Sequence, residues 1–197
     1  MDDIVKAAMA KWPNVPNCYG WLGLDARGNW YMRDDNAQAA GPFCAVSADP
    51  GRQLASKGSL LKHDKLIDFI QRNYAADDSN TSQAKGQWFF QNGPQRVYVE
   101  LEATPFVWRV DGAPDFEVTA HTGQVAITQR CIIDEHGRVY LETALGFGLV
   151  HTQDMLQAAE AIEQGLWVPQ EVLAHDLQKR FGYVRSPEAA NKSLLKK

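Results

Sequence analysis

The 197-residue sequence predicts an α+β fold: two similar lobes of antiparallel strands, each packed with a helix, plus helices at the N- and C-termini. Three observations carry that expectation. Asp25-Ala26-Arg27-Gly28-Asn29-Trp30-Tyr31 and Asp134-Glu135-His136-Gly137-Arg138-Val139-Tyr140 share an acidic turn, a glycine and an aromatic-ended strand. Each follows a short apolar strand, Trp21–Leu24 or Cys131–Ile133, and so reads as a hairpin. Downstream of each hairpin comes a stretch with helical spacing that begins near a histidine, which predicts a duplicated hairpin-plus-helix unit. Between the copies lie strands with clear alternation of apolar and polar residues. The expected organisation is a helix, hairpin and helix lobe over 1–74, a lobe of meander, second hairpin and C-terminal helices over 86–185, and a flexible tail over 186–197.

Along the chain, Ile4, Val5, Ala8, Met9 and Trp12 recur at three- and four-residue steps, so residues 2–12 read as an amphipathic helix. Asp2 and Asp3 suit the positive end of its dipole, and Pro13 ends it. Residues 13–19 read as a loop, and 21–24 with 29–33 as the first hairpin, Gly28 supplying a positive φ. Residues 44–58 read as a loop. Leu60, Leu61, Leu66, Ile67, Phe69, Ile70 and Tyr74 predict a helix over 60–74, and the small polar run 77–85 a flexible loop.

Trp88–Phe90 and Val97–Glu102 then flank the turn Asn92-Gly93-Pro94. Alternation turns Val97, Val99 and Leu101 inward and Tyr98, Glu100 and Glu102 outward, and residues 106–110 and 116–120 alternate in the same way. Three or four strands in an antiparallel meander with one wet face are the natural outcome. Residues 132–141 read as the second hairpin and 154–164 as a helix closed by Gly165. A last helix is expected over 168–181, with Pro169 in its first turn and Gly182 past its end.

Composition excludes several classes of function. Net charge is −4, from 20 basic and 24 acidic residues, which gives no electrostatic reason to approach a phosphate backbone, so no nucleic-acid partner is expected. The run from Arg185 to Lys197 contributes +3 and leaves −7 on the rest, and reads as a solvated, frayed end. Cys18, Cys44 and Cys131 form no C-x-x-C pair, which fits a reducing compartment. The acidic N-terminus lacks the pattern of a secretory signal, and no apolar run approaches the roughly 18 residues of a membrane helix. A soluble cytoplasmic protein with no membrane contact is expected.

The candidate chemistry is sparse. His151 and Asp154, one helical turn apart, could be two metal ligands, but capping of the helix that follows explains them more simply. Ser59-Leu60-Leu61-Lys62 spells the S-x-x-K of serine acylases, recurs as Ser193-Leu194-Leu195-Lys196, and lacks the partner motifs; Ser59 is better read as an N-cap. Asp34-Asp35-Asn36 and Asp77-Asp78-Ser79-Asn80 lack the glycine and glutamate of a calcium loop and read as turns. No catalytic residue, metal or cofactor is expected. Alternation brings Glu100, Glu102, Arg109, Glu117 and His121 to one sheet face, where they read either as solvated ion pairs or as a polar site. Six tryptophans exceed what a core of this size needs, and some could line a groove. The candidate ligand-binding set is therefore Tyr98, Glu100, Glu102, Arg109, Glu117, His121, Trp30 and Trp88.

The stretch from Gly28-Asn29-Trp30-Tyr31 to Gly41-Pro42-Phe43, and the run Gly86-Gln87-Trp88-Phe89-Phe90-Gln91-Asn92-Gly93-Pro94-Gln95-Arg96-Val97-Tyr98-Val99-Glu100-Leu101-Glu102-Ala103-Thr104-Pro105-Phe106-Val107, resemble a proteobacterial family of unknown function, across almost the whole chain. More distantly, the order hairpin, helix, aromatic strand and V-x-V-E-x-x-x-x-P-F-V is similar to a second uncharacterised bacterial family with repeated β/α motifs in two lobes. That second resemblance implies a link to signal transduction. Neither family offers an activity or catalytic residues to carry over.

The expected function is a non-enzymatic binding or regulatory module that recognises a protein segment or small ligand. One alternative is an enzyme using the carboxylates or His121 on the sheet face; another is a structural homo-oligomer.

Overall fold

The computed structural model describes residues 1–43, 50–78 and 84–194. Its strands and helices fall into two compact units: Met1–Asp25, Asn29–Glu102 and Tyr183–Lys197 form the first, and Ala26–Gly28 with Ala103–Gly182 the second. Each unit holds one sheet and at least one helix, the α+β arrangement of two similar lobes.

Unit 1 contains α1 (Asp3–Lys11), β1 (Cys18–Leu24), β2 (Trp30–Met32), α2 (Asp35–Ala40), α3 (Pro50–Lys57), β3 (Ser59–Leu60), α4 (Asp64–Arg72), β4 (Tyr74–Ala76), β5 (Trp88–Asn92) and β6 (Gln95–Leu101). Its sheet runs β3-β2-β1-β6-β5-β4. Neighbours are antiparallel except β1 and β6, which run parallel with Leu22 opposite Val99 and Leu24 opposite Leu101. β5 and β6 therefore join the sheet of the first hairpin and do not begin a meander with the strands that follow. β3 and β4 are the two edges, five strand spacings or roughly 24 Å apart in a flat sheet. The chain between them is α4, which must cross a sheet face; this forces its apolar stripe inward, with Ile70 1% exposed. Helix α4 is shorter than the sequence pattern implies, because Leu60 and Tyr74 belong to strands. Its N-cap is His63, whose Nδ1 accepts the Leu66 N–H at 3.3 Å, while Ser59, the expected cap, lies in β3.

Unit 2 contains β7 (Phe106–Val110), β8 (Val118–Ala120), β9 (Val125–Ala126), β10 (Thr128–Ile133), β11 (Val139–Thr143), β12 (Phe147–Val150), α5 (Met155–Glu163), β13 (Pro169–Glu171) and α6 (Leu177–Phe181). The sheet order is β13-β10-β11-β12-β7-β8-β9. Only Ile127 separates β9 from β10, although five strand spacings separate them in the ladder. A flat sheet would hold them about 24 Å apart, whereas two residues of chain reach roughly 7 Å. The sheet must therefore curl almost back on itself. The last helix expected over 168–181 is instead strand β13, a 3₁₀ turn over Ala174–Asp176 and the short α6; β13 pairs in parallel with β10, placing Cys131 opposite Pro169.

Both hairpins form. Asp25 Oδ1 accepts the Asn29 N–H at 2.8 Å, and Asp134 Oδ1 accepts the Arg138 N–H at 3.0 Å, so each acid tethers the residue four positions on. Gly28 and Gly137 have φ of 83° and 73°, the left-handed conformation that a side chain would strain. The core of unit 1 centres on Leu24, Trp30, Val99 and Leu101, and that of unit 2 on Trp108, Ile132 and Leu141. Burying one such aromatic side chain removes roughly 150–250 Å² from water, at most about 4–6 kcal/mol at 25 cal/mol per Å².

The chain re-enters unit 1 at Tyr183, and α7 (Pro187–Leu194) packs there against β1 and β6. The sequence suggested a frayed end over this stretch. Residues 44–49 of the expected loop at 44–58 lie outside the described residues, and the remainder folds as α3. Residues 79–83 of the expected loop at 77–85 also lie outside them, as do Lys196 of the second S-x-x-K and the end of the tail.

Candidate functional site

Alternation of β6 expects Tyr98, Glu100 and Glu102 on a wet face, and the structure corrects this. β6 is central between β1 and β5 and is covered on both faces, so Tyr98 is 1% and Glu100 0% exposed. Each buried polar group consequently needs a partner. Glu100 finds two on α7: the Ser186 hydroxyl donates to Oε2 at 2.6 Å and the Glu188 N–H donates to Oε1 at 2.9 Å. Burial nevertheless pushes the Glu100 carboxyl above its usual range, opposed by those two bonds and by the nearby Arg33. Arg33, fully buried, donates to the carbonyls of Ser56 at 2.8 Å, Gly20 at 2.8 Å and Gly41 at 2.6 Å, and its Nη1 lies 3.5 Å from Glu188 Oε2.

Tyr98 donates a short hydrogen bond to Asp77, which also takes Arg96 Nη1 at 2.9 Å. Burial, and then the bond to Asp77, drive the Tyr98 phenol well above its ordinary value. Its ring stacks on Tyr19 with centroids 4.6 Å apart. Glu102 is half-buried and pairs with Lys57 at 2.8 Å. Trp30 and Trp88 are core residues at 1% and 9% exposure. Trp30 meets Tyr74 edge to face at 5.3 Å, and Tyr74 meets Trp88 at 5.0 Å.

The other three candidates lie in unit 2. Arg109 on β7 reaches Asp154 through Nε at 2.5 Å and Nη2 at 3.0 Å, and the same carboxylate accepts the Val110 N–H at 3.1 Å. Burial would raise the Asp154 carboxyl, but these bonds outweigh it and hold the group below its usual value. His151, paired with Asp154 in the sequence reading, accepts the Gln153 N–H on Nδ1 at 3.1 Å and so caps the 3₁₀ turn leading into α5. The His121 ring accepts the Val107 N–H at 3.3 Å, and Glu117 is exposed. Among the described residues no group of three or more His, Cys, Asp or Glu could hold a metal ion, and no helix is long and apolar enough to cross a membrane.

The concave apolar feature of unit 1 is built from other residues. Beside α4, the sheet leaves a cavity of about 220 Å³ lined by Cys18, Trp21 and Leu22 of β1, Met32 of β2, Leu66 and Ile70 of α4, Phe90 and Asn92 of β5, and Val97 of β6. Leu22 and Ile70 form a buried floor, whereas Trp21 and Met32 are 39% and 41% exposed at the mouth. The register of β1 against β6 shifts between Cys18 and Leu22. Burial raises the Cys18 thiol above its ordinary value, so the side chain stands as a neutral thiol in the cavity wall. Sequence spacing carries no sign of this cavity, because its members come from four strands and a helix; the surplus of tryptophans was the one available hint.

No curated protein matches the chain. Among solved structures it is similar to the crystal structure of a DUF1285 family protein from Silicibacter pomeroyi DSS-3, with 12% identity, a TM-score of 0.45, and coverage of 75% of this chain and 72% of that one. The model of the DUF2944 family, described as "Protein of unknown function (DUF2946)", matches residues 1–188, and the chain belongs to that family.

Proposed function

We propose that this protein is a non-enzymatic binding module and that the cavity beside α4 receives one large apolar side chain presented by a protein segment. The observation that carries this reading is a buried apolar floor beneath a mouth of partly exposed Trp21 and Met32. A volume of about 220 Å³ lies below the roughly 300–1,000 Å³ of drug-sized ligand sites and suits a single anchoring side chain. Tryptophan and methionine are the residues such mouths favour, the first for area and the second for adaptability. Three carboxylates an enzyme could have used are engaged internally: Glu100 holds α7, Glu102 pairs with Lys57 and Asp154 holds Arg109. The proposed setting is the cytoplasm, where Cys18 would remain a thiol.

The test is selection of random twelve-residue peptides on the wild type, in parallel with a Trp21→Ala/Met32→Ala variant. Wild-type selection should enrich peptides sharing one aromatic or leucine anchor, and these should slow alkylation of Cys18. Identical enrichment on both proteins, or unchanged alkylation, would overturn the reading.

A further inference from the structure

A second concavity lies wholly within unit 2, where the β8–β9 ladder stops. The last pair is Val118 opposite Ala126. Beyond it Phe116 and Glu117 on one side, Ile127 and Thr128 on the other, and Leu166 with Trp167 enclose about 420 Å³. That volume falls within the range of small-molecule sites.

Four features of the walls bear on what would fill it. Val125, Ile127 and Leu166 are left 60%, 86% and 57% exposed, an apolar lining without a cover. Asp115 and Glu117 lie at the same cleft, and neither carboxylate has an ion-pair partner among the described residues. Their charges thus add, and the Arg109 and Arg130 guanidiniums of the unit are each taken by another acid, Asp154 and Glu142. The Thr128 hydroxyl is shielded from solvent and has no hydrogen-bond partner among the described residues. Finally, Phe116, 4% exposed, is held at φ 44°, a conformation that costs a bulky residue energy.

We propose that this cleft is a binding site for a small organic cation, an amine carried on an aromatic or apolar body. The body would cover Val125, Ile127 and Leu166, and the ammonium would neutralise Asp115 and Glu117. An anion would meet two unmatched negative charges, and a neutral analogue would leave them unmatched. This site is distinct from the unit 1 cavity in both residues and ligand charge, and stands or falls independently of it.

Three probes of one shape separate charge from shape: tryptamine, its alcohol analogue tryptophol, and indole-3-propionate. Calorimetric titration at pH 7 should give saturable tryptamine binding, with tryptophol at least about fivefold weaker and indole-3-propionate weaker still. In ¹H–¹⁵N spectra tryptamine should move the Ile127, Thr128 and Trp167 amides. Each of Asp115→Asn and Glu117→Gln should weaken tryptamine by about two- to fivefold, the scale of an exposed charge pair, and leave tryptophol unchanged. Added salt should weaken tryptamine alone. Both substitutions are at exposed positions, so an unchanged melting midpoint is expected; Ile127→Ser gives an independent variant that should weaken all three probes. Equal affinity for the three, undiminished tryptamine binding by Asp115→Asn/Glu117→Gln, or shifts confined to Cys18 and Trp21 would overturn the proposal.

Discussion

The hydroxyl of Ser186 donates to Glu100 Oε2 at 2.6 Å, so a carboxylate buried in the middle of a sheet fastens the first turn of the C-terminal helix. The same serine accepts the Ala189 N–H at 3.2 Å, acting as N-cap from its other side. Removing the acid strands the Ser186 and Glu188 donors and deprives Arg33 of a nearby negative charge. Glu100→Ala should cost about 2–4 kcal/mol in denaturant unfolding and release the amide protons of α7 to faster exchange.

The pH dependence of this contact has a definite sign. Burial raises the folded-state value of Glu100 above its ordinary one, so its favourable contribution is complete at low pH and is lost as pH rises through the raised value. The wild type should therefore gain stability relative to Glu100→Gln when pH is lowered from 7 toward 4.5. Denaturant titrations of the two proteins at both pH values check this, and a relative loss on acidification would contradict it.

Asp134 has the opposite sign. Burial works against its charge, but the Arg138 N–H and guanidinium, the Tyr140 hydroxyl and the His136 N–H together hold it below its ordinary value. Its contribution is present above the unfolded-state value and disappears as pH falls through the lowered one. Tyr140→Phe, which removes the 2.8 Å bond to Oδ2, should cost about 1 kcal/mol at pH 7, and Asp134→Ala about 2–4 kcal/mol. Equal losses from the two substitutions would show that the backbone bonds to Asp134 contribute little.

In the Arg109–Asp154 pair the two partners should be unequal. Arg109 is half in solvent, so Arg109→Ala should cost at most about 1 kcal/mol, whereas Asp154→Ala also strands the buried Val110 N–H and should cost about 2–3 kcal/mol. A double-mutant cycle should return a coupling below about 1 kcal/mol.

Gly148 offers a steric test with no charge involved. A Cβ at this position would lie 2.7 Å from the Phe106 carbonyl oxygen and also crowd the Trp108 indole, and backbone cannot swing aside. Gly148→Ala should destabilise unit 2 by about 1–3 kcal/mol. Gly137→Ala, where nothing lies within 4 Å, should act only through its φ of 73°.

Local signals in the sequence were legible where the chain's own neighbours decide the structure. The Asp25 and Asp134 turns, the amphipathic α1 and the stop at Gly165 follow from residues three to six positions apart. Errors arose where distant chain decides. Tyr98 and Glu100 alternate like surface residues, and only the parallel arrival of β1 and the return of α7 from the far end of the chain bury them. Leu60 and Tyr74 fit the helical stripe of α4 but were taken by strand partners, Tyr31 and Phe90. Of the candidate site residues, Glu117 is at the unit 2 cleft; of the two that frame the unit 1 cavity, Trp21 was signalled only by the surplus of tryptophans, and Met32 carries no mark in a single sequence.

The short bridge at Ile127 has a consequence for how unit 2 comes apart. One uninterrupted stretch, 125–133, supplies β9 at one margin of the curled sheet and β10 beside the other margin. Fraying that begins at β9 tugs directly on the partner of β11 and β13, so neither border can loosen in isolation. The amide protons of Val118, Ala126, Cys131 and Leu141 should then share a single opening free energy, a seven-stranded zipper with one slider.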